Sequence, residues 1–172
     1  ATYEMVSCLL TLLQNEKGEA LRGTVASAMS RLARAVPSLA SQLIDKTGLE
    51  SVVEKLSDDN SRVQHGFLNL LNTALLHPSQ RLVKSLEDPE HLLPPLMRLL
   101  DHSETVVRAK CLVSLQLLFG TSLSYLLPAC ERKLLPTLDK LSRDSDPYLA
   151  ACLQSLVASL HILVPQIAHD IA

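Results

Sequence analysis

Tryptophan is absent from this 172-residue chain, aromatic residues make up only 3% of it, and five glycines occur. Strand-rich folds draw on aromatic and β-branched residues with frequent glycine turns, so these shortages argue against a β architecture. Neither sign of charge dominates: 16 Lys and Arg stand against 18 Asp and Glu, a formal net charge of -2. The basic field that a nucleic-acid-binding or anionic-membrane-binding domain uses is therefore missing, and neither partner is expected. The four cysteines, Cys8, Cys111, Cys130 and Cys152, lie far apart and form no CxxC pair. A disulfide framework and a metal site are both disfavoured by that spacing, and reduced core thiols are expected. No signal peptide is apparent, and no uncharged apolar run is read as reaching the ~18 residues of a membrane span. The longest candidate, "AACLQSLVASLHILV", is interrupted by Gln154, Ser155, Ser159 and His161.

Catalytic signatures are missing as well. Gly18, Gly23, Gly48, Gly66 and Gly120 stand alone and build no phosphate loop. The histidines, His65, His77, His91, His102, His161 and His169, never fall at HxxxH spacing, so no metal site is expected. Serine and histidine meet in "DHSE", with aspartate beside them, and in "HPSQR", but these are polar turns without a strand-turn-helix elbow to hold a nucleophile. The expectation is a binding surface rather than an enzyme, with no catalytic residue, no cofactor and no metal.

What the chain has in quantity is leucine, 38 positions, and repetition. A shift of 44 residues lays "GLESVVEKLSDDNSRVQHGFLNLL" under "LLPPLMRLLDHSETVVRAKCLVSL", so that Leu56 meets Leu100, Val63 meets Val107 and Leu71 meets Leu115. Further on, "KLLPTLDKLSRDSDPYLAACLQSL" repeats the pattern, with Cys152 over Cys111. Near the start, Leu21-Arg22 fall over Val107-Arg108 and Met29 over Leu115. The period is about 41 to 44 residues, which is the mark of a repeat architecture. Repeats are expected at approximately 1–36, 37–77, 78–120 and 121–163. Val164-Pro165-Gln166-Ile167-Ala168 echoes Val36-Pro37-Ser38-Leu39-Ala40, so residues 164–172 are expected to open a further unit, in a single array truncated at both ends.

Each unit has one plan. A short first helix (38–46, 79–86, 122–132) precedes a helix with apolar residues at three- and four-residue spacing, such as Leu93, Leu96, Met97 and Leu100. A polar turn, "SDDNS" or "DHSE", offers Ser, Asp and Asn as caps for the next helix. That third helix is the most apolar, with Val107, Cys111, Leu112, Leu115 and Leu118 on one side. Pro94, Pro95 and Pro136 fit the first turn of a helix, and Pro37, Pro78 and Pro165 fit breaks between units. Alanine at Leu115 is expected to cost ~2–5 kcal/mol, and at Gln116 almost nothing.

A period near 42, an "LLPxLxxLL" helix, a polar turn and a "VR" or "VQ" start to the next helix resemble armadillo and HEAT repeats over essentially the whole chain. The short first helix followed by Gly48 in "LIDKTGLESVVEKL" leans toward the three-helix armadillo unit. The resemblance implies an all-α, right-handed α-solenoid of about four repeats that binds a protein or peptide through its curved helical surface. The armadillo rows of tryptophan and asparagine are replaced here: Ser27, Asn69, Val113 and Gln154 stand for the first, and Arg31, Thr73, Leu117 and Ala158 for the second. Readout of basic peptides in the manner of importin-α-like carriers is thereby disfavoured. Turns without tryptophan and with a single lysine likewise disfavour tubulin-binding HEAT arrays.

The candidate contact residues are Arg22, Arg31, Gln64, Asn69, Asn72, Thr73, Arg108, Gln116 and Gln154. All belong to the third-helix series. Arg22, Arg31, Arg34 and Arg108 could form a basic strip for an acidic peptide, or could instead pair with acidic neighbours or simply solvate the array. The leucine-rich units and "VVRAKCLVSLQLL" also resemble the C-terminal helical repeats of Unc-51-like and Fused-type serine/threonine kinases. That resemblance implies a regulatory region of a larger kinase or pseudokinase, in a cytoplasmic setting associated with the cytoskeleton or cilium. A third reading is a structural array that self-associates through exposed ends.

Overall fold

The computed structural model describes residues 4, 7–9, 11, 12 and 18–171. Most of the opening stretch "MVSCLLTLLQNEKG" of the first expected repeat lies outside the described residues. Those described are helical or in short connections, with no strand among them. They fall into two compact units, 1–86 and 87–172.

The first unit contains α1 (Glu19–Ala35), α2 (Ser38–Thr47), α3 (Leu49–Leu56), α4 (Ser61–Leu76) and α5 (Gln80–Ser85). The central element is α4, against which α1, α2 and α3 all pack. It starts where the Asn60 side chain accepts the Arg62 N–H, satisfying one of the free amides of the first turn. Its Val63, Phe67, Leu70, Leu71 and Ala74 recur at helical spacing and are buried. Contact with α1 is close because position 66 is glycine: a Cβ there would lie 2.7 Å from the Ala26 carbonyl oxygen. Between α2 and α3 the chain turns at Gly48, whose φ of 83° is the left-handed region that glycine enters without strain.

The second unit contains α6 (Leu93–Leu99), α7 (Thr105–Thr121), a 3-10 turn (Leu123–Tyr125), α8 (Leu126–Glu131), α9 (Leu134–Leu141) and α10 (Pro147–Ile171). Here α7 is the core, with Val107, Cys111, Leu112, Leu115, Leu118 and Phe119 all buried. It packs along α10, which contributes Leu149, Leu153, Leu156 and Leu160. Pro94 and Pro95 lie in the first turn of α6, where a missing N–H leaves no bond unmade. The two successions α2-α3-α4 and α8-α9-α10 repeat one three-helix plan, two short helices followed by a long one.

Two sequence expectations change. The uncharged stretch Pro147–Pro165 is 19 residues long, and by length and composition α10 could cross a membrane, contrary to the expectation that no run reaches that size. Only 17% of that stretch is buried, and its buried leucines lie in the helix that packs along α7. Moreover, the helix continues through Val164 and Pro165 to Ile171 instead of breaking there, although proline gives up one backbone hydrogen bond within it.

Candidate binding surface

The polar turns and the third helices are joined by a recurring ion pair. Arg22 Nη2 lies 3.1 Å from Asp58 Oδ1, and the two side chains are only 17% and 12% exposed. Arg108 Nη2 lies 2.7 Å from Asp144 Oδ2, at 17% and 25% exposure. Both pairs span 36 residues, from the start of one third helix to the turn before the next. The same carboxylates build those turns. Asp58 accepts the Asn60 N–H at 2.9 Å, and Asp144 accepts the Asp146 N–H at 2.9 Å. Asn60 and Asp146 then cap α4 and α10 by accepting from Arg62 and Leu149. Arg108 also donates to the carbonyls of His102 and Ser103, at 2.6 and 3.2 Å, and to Thr105 Oγ1 at 3.1 Å. The Asp146 amide and the Arg108 guanidinium hold the Asp144 carboxyl below its ordinary range. In the intervening turn His102 takes the aspartate's place, its Nδ1 accepting the Glu104 N–H at 3.0 Å.

Four of the nine candidate contact residues are thus engaged inside their units. Arg22 and Arg108 fasten third helices to turns, so they do not join Arg31 in a free basic strip. Gln64 is buried and donates Nε2 to the Leu56 carbonyl at 3.2 Å. Gln116 donates Nε2 to Ser159 Oγ at 3.0 Å, tying α7 to α10. Its truncation to alanine would remove that bond, so a loss of about 0.5–1.5 kcal/mol is expected where the sequence suggested almost none. Asp58, Asp144 and Ser159 are partners that sequence reasoning missed, although the 36-residue offset shared by the two aspartates was there to find.

The remaining candidates keep solvent contact. On α1 Arg31 is exposed, with no ion-pair partner among the described residues; on α4 Asn69, Asn72 and Thr73 are half-buried. Thr73 Oγ1 donates to the Asn69 carbonyl within its own helix, at 2.8 Å. In the second unit Gln154 is exposed on α10. The equivalent positions differ in character between units: Ser27, Arg31, Asn69 and Thr73 are polar, whereas Val113, Leu117 and Ala158 leave Gln154 as the single polar member.

The second unit also carries an apolar groove of about 660 Å³, lined by residues including Leu126, Leu134, Leu138, Val157 and Leu160, with Leu135 61% exposed at its rim. Cys111 and Cys152 are buried, Cys111 donating to the Leu96 carbonyl, but Cys8 and Cys130 are exposed, so the thiols are not all core residues. No group of three His, Cys, Asp or Glu able to hold a metal occurs among the described residues.

No family model matches the chain. Among solved structures it is similar to an engineered protein with a TM-score of 0.74 and 22% identity, covering 90% of this chain and 63% of that one. It is similar also to a designed armadillo repeat protein with a TM-score of 0.72 and 19% identity, covering 90% and 64%. Another designed armadillo repeat protein, solved in complex with the peptide (KR)4, has a TM-score of 0.50. The fold, and with it the class of protein, is an all-helical armadillo-type α-solenoid. In sequence the chain is similar to serine/threonine-protein kinase ULK4 of Mus musculus, 30% identical, and to serine/threonine-protein kinase RUNKEL of Arabidopsis thaliana, 28% identical. These alignments cover 99% and 87% of this chain but only 14% and 11% of the two kinases.

Proposed function

We propose that this chain is the protein-binding helical-repeat region of a larger serine/threonine-kinase-type protein, where it positions partners or the kinase domain rather than doing chemistry itself. The observation that carries this reading is the combination of an armadillo-type fold with kinase relatives matched along nearly all of this chain and a small part of theirs. The kinase or pseudokinase domain would lie elsewhere in the same polypeptide, in an intracellular setting. A gene encoding only helical repeats around this segment would overturn the kinase half of the reading.

The contact surface assigned to it is the polar third-helix face of the first unit, Arg31, Asn69, Asn72 and Thr73; Gln154 is a separate exposed polar residue of the second. Arg31 makes an acidic peptide the better match than a basic one. Affinity capture with the intact chain is expected to recover a partner that an Arg31→Glu/Asn69→Glu variant of unchanged melting temperature loses. Equal recovery by both would remove that face from consideration.

A further inference from the structure

A second polar feature lies in the second unit, apart from the third-helix face. Between the turn that follows α6 and the turn that follows α9 is a pocket of about 270 Å³ with Leu100 and Leu141 among its walls, both buried. Its other lining residues are His102, Arg108, Lys140 and Arg143, opposed by Asp101 and Asp144. Three permanent cations thus face two carboxylates. The two ion pairs that involve the pocket's own carboxylates are unequal. Arg108–Asp144, at 2.7 Å and largely shielded, is a fixed wall. Lys140–Asp101 is long, 3.4 Å, with the side chains 74% and 66% exposed. Arg143 reaches out to Asp139 at 3.0 Å, outside the pocket lining, and is 76% exposed. Exposed pairs of this kind contribute about 0–1 kcal/mol each, so Lys140 and Arg143 can turn to a better anion at little cost.

The first unit has the same turn and the same Arg–Asp pair but not these cations. In the repeat alignment Lys140 falls over Glu54 and Arg143 over Ser57. The cationic pocket is therefore an addition to the shared turn and not a consequence of it. Arg143 brings a planar fork suited to two oxygens of one tetrahedral anion, and Lys140 a point charge beside it.

We propose that this pocket receives a phosphorylated serine or threonine side chain of a bound peptide. The dianion takes Arg143 and Lys140 as its ligands, while Asp144 stays committed to Arg108 and the Asp146 amide, and Asp101 gives up its lysine. A volume of about 270 Å³ accommodates a phosphorylated side chain and little more, which sets the register of the peptide on the scaffold. Binding here is independent of Arg31 and Asn69, so failure at this pocket and failure at the third-helix face are distinguishable.

The test is an amide-shift titration of the isotope-labelled intact chain with three probes: inorganic phosphate, the peptide Gly-Gly-phosphoserine-Gly-Gly, and its unphosphorylated form. The phosphopeptide is expected to shift amides at 101–104 and 143–146 saturably, with a Kd on the order of 1 mM, and the unphosphorylated form to leave them in place. Lys140→Ala/Arg143→Ala should weaken binding at least about tenfold, as loss of two charge-assisted ligands requires, whereas Lys84→Ala, an exposed cation of the first unit, should not. Because both pocket side chains are exposed, the double variant should keep its melting temperature. Absence of saturable shifts, equal affinity in the double variant, or binding of inorganic phosphate without the phosphopeptide would each overturn the proposal.

Discussion

Arginine at the head of a third helix reads from sequence as a charge on a surface, yet at two equivalent positions its neighbourhood makes it a fastener. Arg108 reaches a carboxylate, two carbonyls and a hydroxyl, all within 3.2 Å. Hydrogen bonds involving charged groups contribute about 1.5–3 kcal/mol, so Arg108→Ala should lower the urea midpoint markedly while Arg31→Ala, exposed, barely moves it. The acid side of the pair gives a pH signature. Asp144 is held below its ordinary range by the Asp146 amide and Arg108. Its stabilising contribution is therefore present above the ordinary aspartate pKa near 3.9 and is lost as pH falls through the lower folded value. In Asp144→Asn, stability measured from about pH 5 downward should fall less steeply than in the unsubstituted chain. Lys133 supplies a second residue-scale test. Its φ of 65° lies where L side chains are strained, at the point before α9 that Gly48 occupies before α3. Replacement by glycine should raise stability by about 1 kcal/mol, read as a higher melting temperature.

Elements meet at distances that single atoms decide. The α1–α4 contact exists in its present form because Gly66 has no Cβ; Ala26 backbone atoms would lie 2.7 and 2.8 Å from one. Backbone cannot step aside as a side-chain tip can, so Gly66→Ala should push the helices apart and cost about 1–3 kcal/mol. Gly120, in α7 with nothing within 4 Å of the corresponding position, is the control. There alanine should stabilise by up to about 1 kcal/mol through helix propensity alone. The sign of the change thus separates a packing glycine from an incidental one. Element boundaries were largely legible from the chain: the short helices expected at 38–46 and 79–86 appear as Ser38–Thr47 and Gln80–Ser85. The exception is Pro165, read as a break between repeats but enclosed by α10. Helical continuity on both sides outweighs one missing N–H, and a local rule about proline does not register that.

Across the whole molecule, each compact unit is organised about third helices: α1 with α4 in one, α7 with α10 in the other. Hydrogen exchange should follow that arrangement, with the slowest amides in α4 and α7 and the fastest in the six-residue helices α5 and α8, whose ends are never far from solvent. A uniform exchange rate across these helices would contradict it. The armadillo-type class was readable because a leucine stripe at helical spacing, returning every 41 to 44 residues, can be buried only by packing one repeat on the next. Which polar residues are left over for a partner was not readable. Arg22, Arg31 and Arg108 look alike in the chain, and Gln116 looks like Gln154; only tertiary placement commits three of them to Asp58, Asp144 and Ser159 and leaves Arg31 and Gln154 facing solvent. Periodicity is a property of one strand of sequence, so composition and spacing determine the repeat. Hydrogen bonds between residues 36 or 43 apart are a property of folded distance, so the structure alone decides which side chains remain for recognition.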